Sequence, residues 1–244
     1  MKVVVIVPTY NEKENIAKLV PQMAQAFKQN KIDGRILIVD DNSPDGTGRE
    51  AEALARKYPV SVLHRKEKAG LGAAYIAGFW DCLEKGADVI CEMDADLSHN
   101  PKHFPEIIRA INGADVVLGS RYIPGGGTVN WGLKRQLISR NANRLARTMT
   151  GVPVNDMTGG YRAYKAKVLR SISLDNVRSS GYAFQVELLY RAFQRGYRIK
   201  EVPIVFRERE RGISKLSRTD IICFFTLCLK LGLQRIYIRE GKKE

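Results

Sequence analysis

The sequence predicts an α/β fold: one domain built on a mainly parallel central sheet flanked by helices. Three observations lead there. The first 120 of the 244 residues alternate short β-branched runs with helical patterns, as parallel strands joined by covering helices do. A hydrophobic content of 44% is enough to bury a core of ordinary size without staples. No repeat or low-complexity tract divides the chain.

The strands are expected at Val3 to Val7, Arg35 to Val39, Val60 to His64, Val89 to Met93 and Asp115 to Gly119. Between the first two, Asn11 followed three residues later by Glu14 resembles a capping box opening an apolar-periodic helix to about Gln29. Asn100-Pro101 offers a comparable start, with Asn as cap and Pro in the first turn. Pro124-Gly125-Gly126-Gly127 then breaks the rhythm and marks a mobile loop or a chain reversal. Beyond it come a basic helix over about Leu133 to Met149, a strand around Tyr161 to Tyr164, a helix over about Ala183 to Arg195, a strand Ile199 to Phe206, and an arginine-rich polar loop. The apolar run Ile221 to Leu229 is cut by Lys230, well short of the roughly 20 residues a membrane span needs. With Arg218, Arg235 and Arg239 nearby, it predicts a C-terminal amphipathic helix lying on a membrane surface, on the core or on a partner subunit.

Charge is divided unevenly. Residues 1 to 120 carry 15 basic and 17 acidic side chains, whereas residues 121 to 244 carry 25 and 9, so the net charge of +14 belongs to the second half. That half calls for an anionic partner, whether nucleic acid, phosphorylated substrate or acidic membrane. Cys82, Cys91, Cys223 and Cys228 form no CxxC pair and sit in apolar stretches, which reads as reduced core residues in a cytosolic protein. The N-terminal run meets Pro8 too soon for a signal peptide or a span.

In an open parallel sheet, ligands settle beyond the carboxyl ends of the strands. Those positions hold Pro8-Thr9-Tyr10-Asn11-Glu12, Asp40-Asp41-Asn42-Ser43-Pro44-Asp45-Gly46-Thr47 and Asp94-Ala95-Asp96-Leu97-Ser98. Singly they are a helix cap, turn chemistry and solvated loop acids. Gathered at one rim of a nearly neutral half, they call for a cation. Asp94 and Asp96 can share Mg²⁺ or Mn²⁺, which keep open positions for phosphate oxygens. Tyr10 is placed to stack on a base, and Glu12 or Asp41 to accept hydrogen bonds from base or ribose. Asp156, in Asn155-Asp156-Met157-Thr158-Gly159-Gly160, is a candidate general base for a hydroxyl acceptor, or else an anchor for its loop or for a sugar. Gln185 and Glu187 are placed either to face the sugar or simply to begin a helix.

These strand-end segments, with Asp94-Ala95-Asp96-Leu97-Ser98-His99 and Gly119-Ser120-Arg121-Tyr122, resemble the family 2 glycosyltransferases almost end to end. The similarity is greatest to the members that move mannose from GDP-mannose to a polyprenyl (dolichyl) phosphate. The resemblance implies a GT-A type domain over residues 1–217, with a nucleotide-sugar half (1–120) and an acceptor half (121–217). Residues 218–244 would form the helix and tail that associate with a membrane or a partner. It implies donor contacts at Pro8, Tyr10, Glu12, Val39, Asp41, Asp94, Ala95 and Asp96, with Asp96 catalytic and Arg209 and Lys215 closing over the phosphates. Arg121, Arg135 and Ser139 would hold the lipid phosphate. Ser98 replaces a glutamine that in some members offers the metal an oxygen. The implied reaction inverts the anomeric carbon on the cytosolic face of a membrane, where a small membrane-anchoring subunit is a further implied partner.

Other readings fare worse. The histidines have no ligand spacing, no GxGxxG follows the first strand, and the Gln-x-x-Arg-Trp signature of processive synthases is absent. A nucleotidyltransferase would want a glycine-rich basic loop after strand one, where Pro8 to Glu12 stands instead. A basic nucleic-acid- or membrane-binding module without catalysis would not explain the carboxylates, and no nucleic acid is expected as partner. UDP-glucose remains the alternative donor.

Overall fold

The computed structural model describes residues 1–208 and 218–240. The first strands are β1 (Val3–Thr9), β2 (Gly34–Asp40), β3 (Val60–His64), β4 (Val89–Glu92) and β5 (Val116–Ser120). All lie within two residues of expectation. After them come a three-residue β6 (Gly127–Val129), β7 (Arg162–Lys165), β8 (Ile199–Pro203) and β9 (Val205–Arg207). The main sheet has the order β3-β2-β1-β4-β7-β5-β8, and β6 pairs with β9 in a separate two-stranded sheet. Every pairing is parallel except those of β7, which runs antiparallel to both β4 and β5.

Alternation along β1 and β2 explains the layers. Val4, Ile6, Leu37 and Val39 face one core, shared with α3 (Leu71–Glu84), α5 (Leu133–Thr150), α6 (Ala166–Ser171) and α7 (Gly181–Gln194). Val3, Val5, Val7, Ile36 and Ile38 face the other, covered by α1 (Lys13–Gln29), α2 (Thr47–Ala55) and α4 (Phe104–Ala110).

Asn100 caps a short 3-10 turn ahead of α4 by accepting from the Lys102 amide at 3.0 Å, with Pro101 at its first position. Asn11 does not cap α1. The cap position is Glu12, while Asn11 takes a left-handed backbone (φ 62°) and its amide donates to Ser43 Oγ at 3.0 Å. The glycine run is a chain reversal leading into β6. A Cβ at Gly126 would lie 2.5 Å from the Ser120 carbonyl oxygen, so only glycine fits that approach. The strand expected over Ile199 to Phe206 divides at Ile204 between the two sheets.

The C-terminal helix α8 (Arg218–Glu240) packs on α5 and α7 through buried Phe224, Cys228 and Leu231. Its outward side chains include Ile222, Phe225, Leu229, Leu233, Ile236 and Tyr237, all exposed. The helix expected to be amphipathic therefore carries apolar side chains both against the protein and away from it. Cys223 is exposed rather than a core residue, because it falls on that outer side. Among the described residues, no helix is long and apolar enough to cross a membrane.

Candidate active site

Strand order changes direction between β1 and β4, and a cleft of about 320 Å³ opens beyond their carboxyl ends. Pro8, Glu12, Asp94, Ala95 and Asp96 line it, joined by Thr158, Gly160, Tyr182 and Gln185. The loops after β1, β2 and β4 each contain one non-glycine residue in the left-handed region: Asn11, Asn42 and Leu97. Asparagine adopts that conformation readily, whereas leucine does so at a cost, a pattern typical of functional loops. The bend at Leu97 lets the Ser98 amide donate to Asp96 Oδ1 at 3.0 Å.

The remaining donor candidates sit close by along the same strand ends. Tyr10 is exposed, with Lys68 Nζ 3.9 Å from its ring centroid. Asp41 is buried and paired with Arg65 at 2.6 Å. The Val39 side chain is in the core, so any donor contact there must use its main chain. Arg209 and Lys215 lie outside the described residues.

Asp96 is buried and Asp94 only partly so. His99 is also buried; its Nδ1 accepts from the Asp94 amide at 3.1 Å, and its ring lies against Tyr161 and Phe206. Burial lowers the His99 pKa against the pull of Asp94 and Asp96, favouring the neutral ring that this hydrogen bond requires. Ser98 Oγ is buried without a hydrogen-bond partner, and Ser98 does not line the cleft. Among the described residues no three His, Cys, Asp or Glu side chains gather as a complete metal cage. Two carboxylates in a cleft instead fit a hard cation that takes its other ligands from phosphate and water.

Beneath the cleft, Glu92 is wholly buried near Arg162 and Gln185. Burial pushes its pKa up to about 7, despite the attraction of Arg162. The folded protein therefore keeps a proton that the unfolded chain releases at lower pH, so stability falls as pH rises from the usual carboxylate range through about 7. Urea melts at mildly acidic and mildly alkaline pH should show this loss in the native protein and a flatter profile in Glu92→Gln.

Arg121 and Asp156 form a buried forked pair, with Nε to Oδ2 at 2.7 Å and an Nη nitrogen to Oδ1 at 2.6 Å. Asp156 also accepts from the amides of Arg121 and Gly159. Burial alone would raise its pKa, but the charge and hydrogen bonds of Arg121 outweigh it and lower the pKa. Both oxygens are taken, an arrangement that suits the reading of Asp156 as a loop anchor better than that of a general base. Arg121 is equally committed: it also donates to Thr158 Oγ1 at 3.0 Å, and it offers charge rather than a free fork.

Trp131 brings the two expected acceptor arginines together. Its ring centroid lies 4.1 Å from Arg135 Cζ and 5.4 Å from Arg121 Cζ, with Phe206 set edge-on against it. Arg135 pairs with Glu208 at 2.6 Å, and Ser139 Oγ accepts from Tyr122 Oη at 2.7 Å. Reasoning from the sequence missed Trp131 and the Tyr122 hydroxyl as parts of this site. Only their position beside Arg121 and Arg135 in the chain hinted at them.

The sequence profile described as "Glycosyl transferase family 2" matches residues 4–173. The chain belongs to that family. This family 2 glycosyltransferase is 48% identical over 223 residues to polyprenol monophosphomannose synthase of Mycolicibacterium smegmatis, covering 90% of this chain and 83% of that protein. It is 49% identical over 218 residues to undecaprenyl-phosphate mannosyltransferase of Micrococcus luteus, covering 89% and 88%. Its fold is shared with glucosyl-3-phosphoglycerate synthase from Mycobacterium tuberculosis, crystallised with phosphoglyceric acid, at a TM-score of 0.70 and 19% identity over 93% of this chain and 80% of that one. The same protein in complex with Mn²⁺, UDP and glucosyl-3-phosphoglycerate superposes with a TM-score of 0.69. The GT-A type fold is thus established here by family and shape together.

Proposed function

We propose that this glycosyltransferase transfers mannose from GDP-mannose to a polyprenyl phosphate, inverting the anomeric carbon. One observation carries the reading. A cleft with two carboxylates, suited to a nucleotide diphosphate, adjoins an aromatic cluster that holds two arginines, suited to a second phosphate. The two mannosyl-transferring relatives support the choice of sugar and acceptor.

A phosphate acceptor is ionised at neutral pH and needs no base, so the site's work is positioning and charge. Asp94 and Asp96 would hold Mg²⁺ or Mn²⁺, which when bound offsets charge on the diphosphate and on the departing nucleoside diphosphate. Pro8, Tyr10, Glu12, Asp41 and Ala95, with the main chain of Val39, frame the nucleotide end. Arg135 and Ser139, backed by the charge of Arg121, orient the acceptor oxygen toward the sugar's C1. That oxygen bonds to C1 from the face opposite the diphosphate, and the C1–O bond breaks with its electron pair leaving on the diphosphate. An α-linked donor so gives a β-linked product. Residues 1–120 supply most of the donor side and residues 121–217 the acceptor side, with Thr158, Gly160, Tyr182 and Gln185 completing the wall of the donor cleft. The exposed apolar side chains of α8, with Leu133, Leu137 and Ile138 of α5, would rest on the cytoplasmic face of the membrane that holds the lipid, directly or through a small membrane subunit.

The test is to incubate the protein with Mn²⁺, a panel of labelled sugar nucleotides and a polyprenyl phosphate, and to follow label into organic solvent. Extractable label from GDP-mannose is expected; label from UDP-glucose alone would overturn the donor assignment. Arg135→Ala should raise the KM for polyprenyl phosphate by about 10-fold or more, the scale of a lost charged hydrogen bond, with the KM for the sugar nucleotide little changed.

A further inference from the structure

A second cavity, of about 420 Å³, opens between α5 and the loop after β5. Arg121 stands between the two spaces: it lines this cavity, while its guanidinium bonds Thr158 in the wall of the carboxylate cleft. Arg140, Arg144 and Arg147, on successive turns of α5, supply the cavity's free charge. The helix contains five basic residues and no acidic one, and its only ion pair among the described residues is that of Arg135 with Glu208. Like charges three and four residues apart repel along a helix. The helix dipole relieves Arg147 in the last turn but not Arg140 at mid-length.

The cavity is also braced. Arg147 donates to Asn155 Oδ1 at 2.8 Å, and Asn155 is fixed to Glu201 through its amide at 2.9 Å and its side-chain nitrogen at 3.0 Å. The same carboxylate accepts from the Asp156 amide at 3.0 Å. Three guanidinium groups on one concave wall, with no ion pair among the described residues, supply the charge and the donors with which arginine binds phosphate.

We propose that this cavity is a second phosphate-binding site, carried by Arg140, Arg144 and Arg147 and sharing Arg121 with the one assigned to Arg121, Arg135 and Ser139. It takes the phosphate of either an anionic lipid headgroup or free inorganic phosphate, and it does not depend on which sugar is transferred.

The test compares the native protein, Arg140→Gln/Arg144→Gln/Arg147→Gln, and a charge-matched control, Lys28→Gln/Arg56→Gln/Lys57→Gln, whose three side chains are exposed elsewhere. One arm measures the rise in Tm caused by inorganic phosphate. The other measures sedimentation with phosphatidylcholine vesicles, with and without phosphatidylglycerol. Neither contains a sugar nucleotide, so the outcome is independent of the transfer assay. The arginine triple should lose about tenfold or more in phosphate affinity, vesicle affinity or both, while the control stays near the native protein. Loss confined to vesicles identifies a lipid headgroup as the source, loss confined to inorganic phosphate identifies the free ion, and either supports the site. Without phosphate the triple should melt no lower than the native protein, because repulsion is relieved. If it fails to fold, Arg144→Gln alone carries the comparison. Losses no greater than those of the control in both arms would overturn the proposal.

Discussion

Asp96→Ala should lower sugar transfer by about 10³-fold or more, the scale on which an aligned charge at the breaking bond acts. The substitution removes one of the two carboxylates in the cleft and also the oxygen that accepts the Ser98 amide. Asp96→Asn separates the two losses: it keeps an oxygen for the Leu97 bend but gives up the charge. Both variants should fold, both should bind donor weakly in Mn²⁺, and both should fail to transfer label to polyprenyl phosphate. Near-native transfer by Asp96→Ala would refute the assignment of Asp96 to the cation and the diphosphate.

The second large effect falls on stability. Arg121→Met strands the Asp156 carboxylate in a fully buried site, and breaking a buried pair from one side costs about 3–5 kcal/mol. Arg121→Met combined with Asp156→Leu should recover much of that loss, because no charge is left uncompensated. Urea unfolding of the two singles and the double measures the coupling, and additive losses would deny it. The double variant also tests function: if it folds yet transfers poorly, the charge of Arg121 serves the acceptor as well as the fold. The lowered pKa of Asp156 places its contribution above the usual carboxylate range, so it persists at neutral pH and disappears only in acid.

The parts legible in the sequence are those carried by local chemistry. Four of the five leading strands were readable because β-branched runs buried on both faces leave a continuous apolar signature, and the partly buried edge strand β3 because Val60 and Val62 alternate with the polar Ser61. The position of the carboxylate cleft was readable because clefts in open parallel sheets lie beyond the strand ends whatever the loop detail. Long-range pairing was not. Nothing near Arg121 announces that its fork closes on a residue 35 positions away, and Ile199 to Phe206 looks like one strand although Ile204 divides it between two sheets. Asn11 misled for a structural reason. Its motif favours a helix cap, but the rim of the cleft uses its backbone amide to bind Ser43, a local preference overridden by the loop.

The antiparallel β7 has a consequence for the order in which the molecule can assemble. In the main sheet β5 has only two neighbours, β7 and β8, and both follow it in the chain. As synthesis proceeds, the first four strands can pair among themselves, but β5 must wait until residue 165 has emerged. Its second neighbour comes later still. The halves proposed to serve donor and acceptor are therefore not separate folding units. A fragment ending at residue 120 would expose both unpaired edges of β5, and such edges invite aggregation.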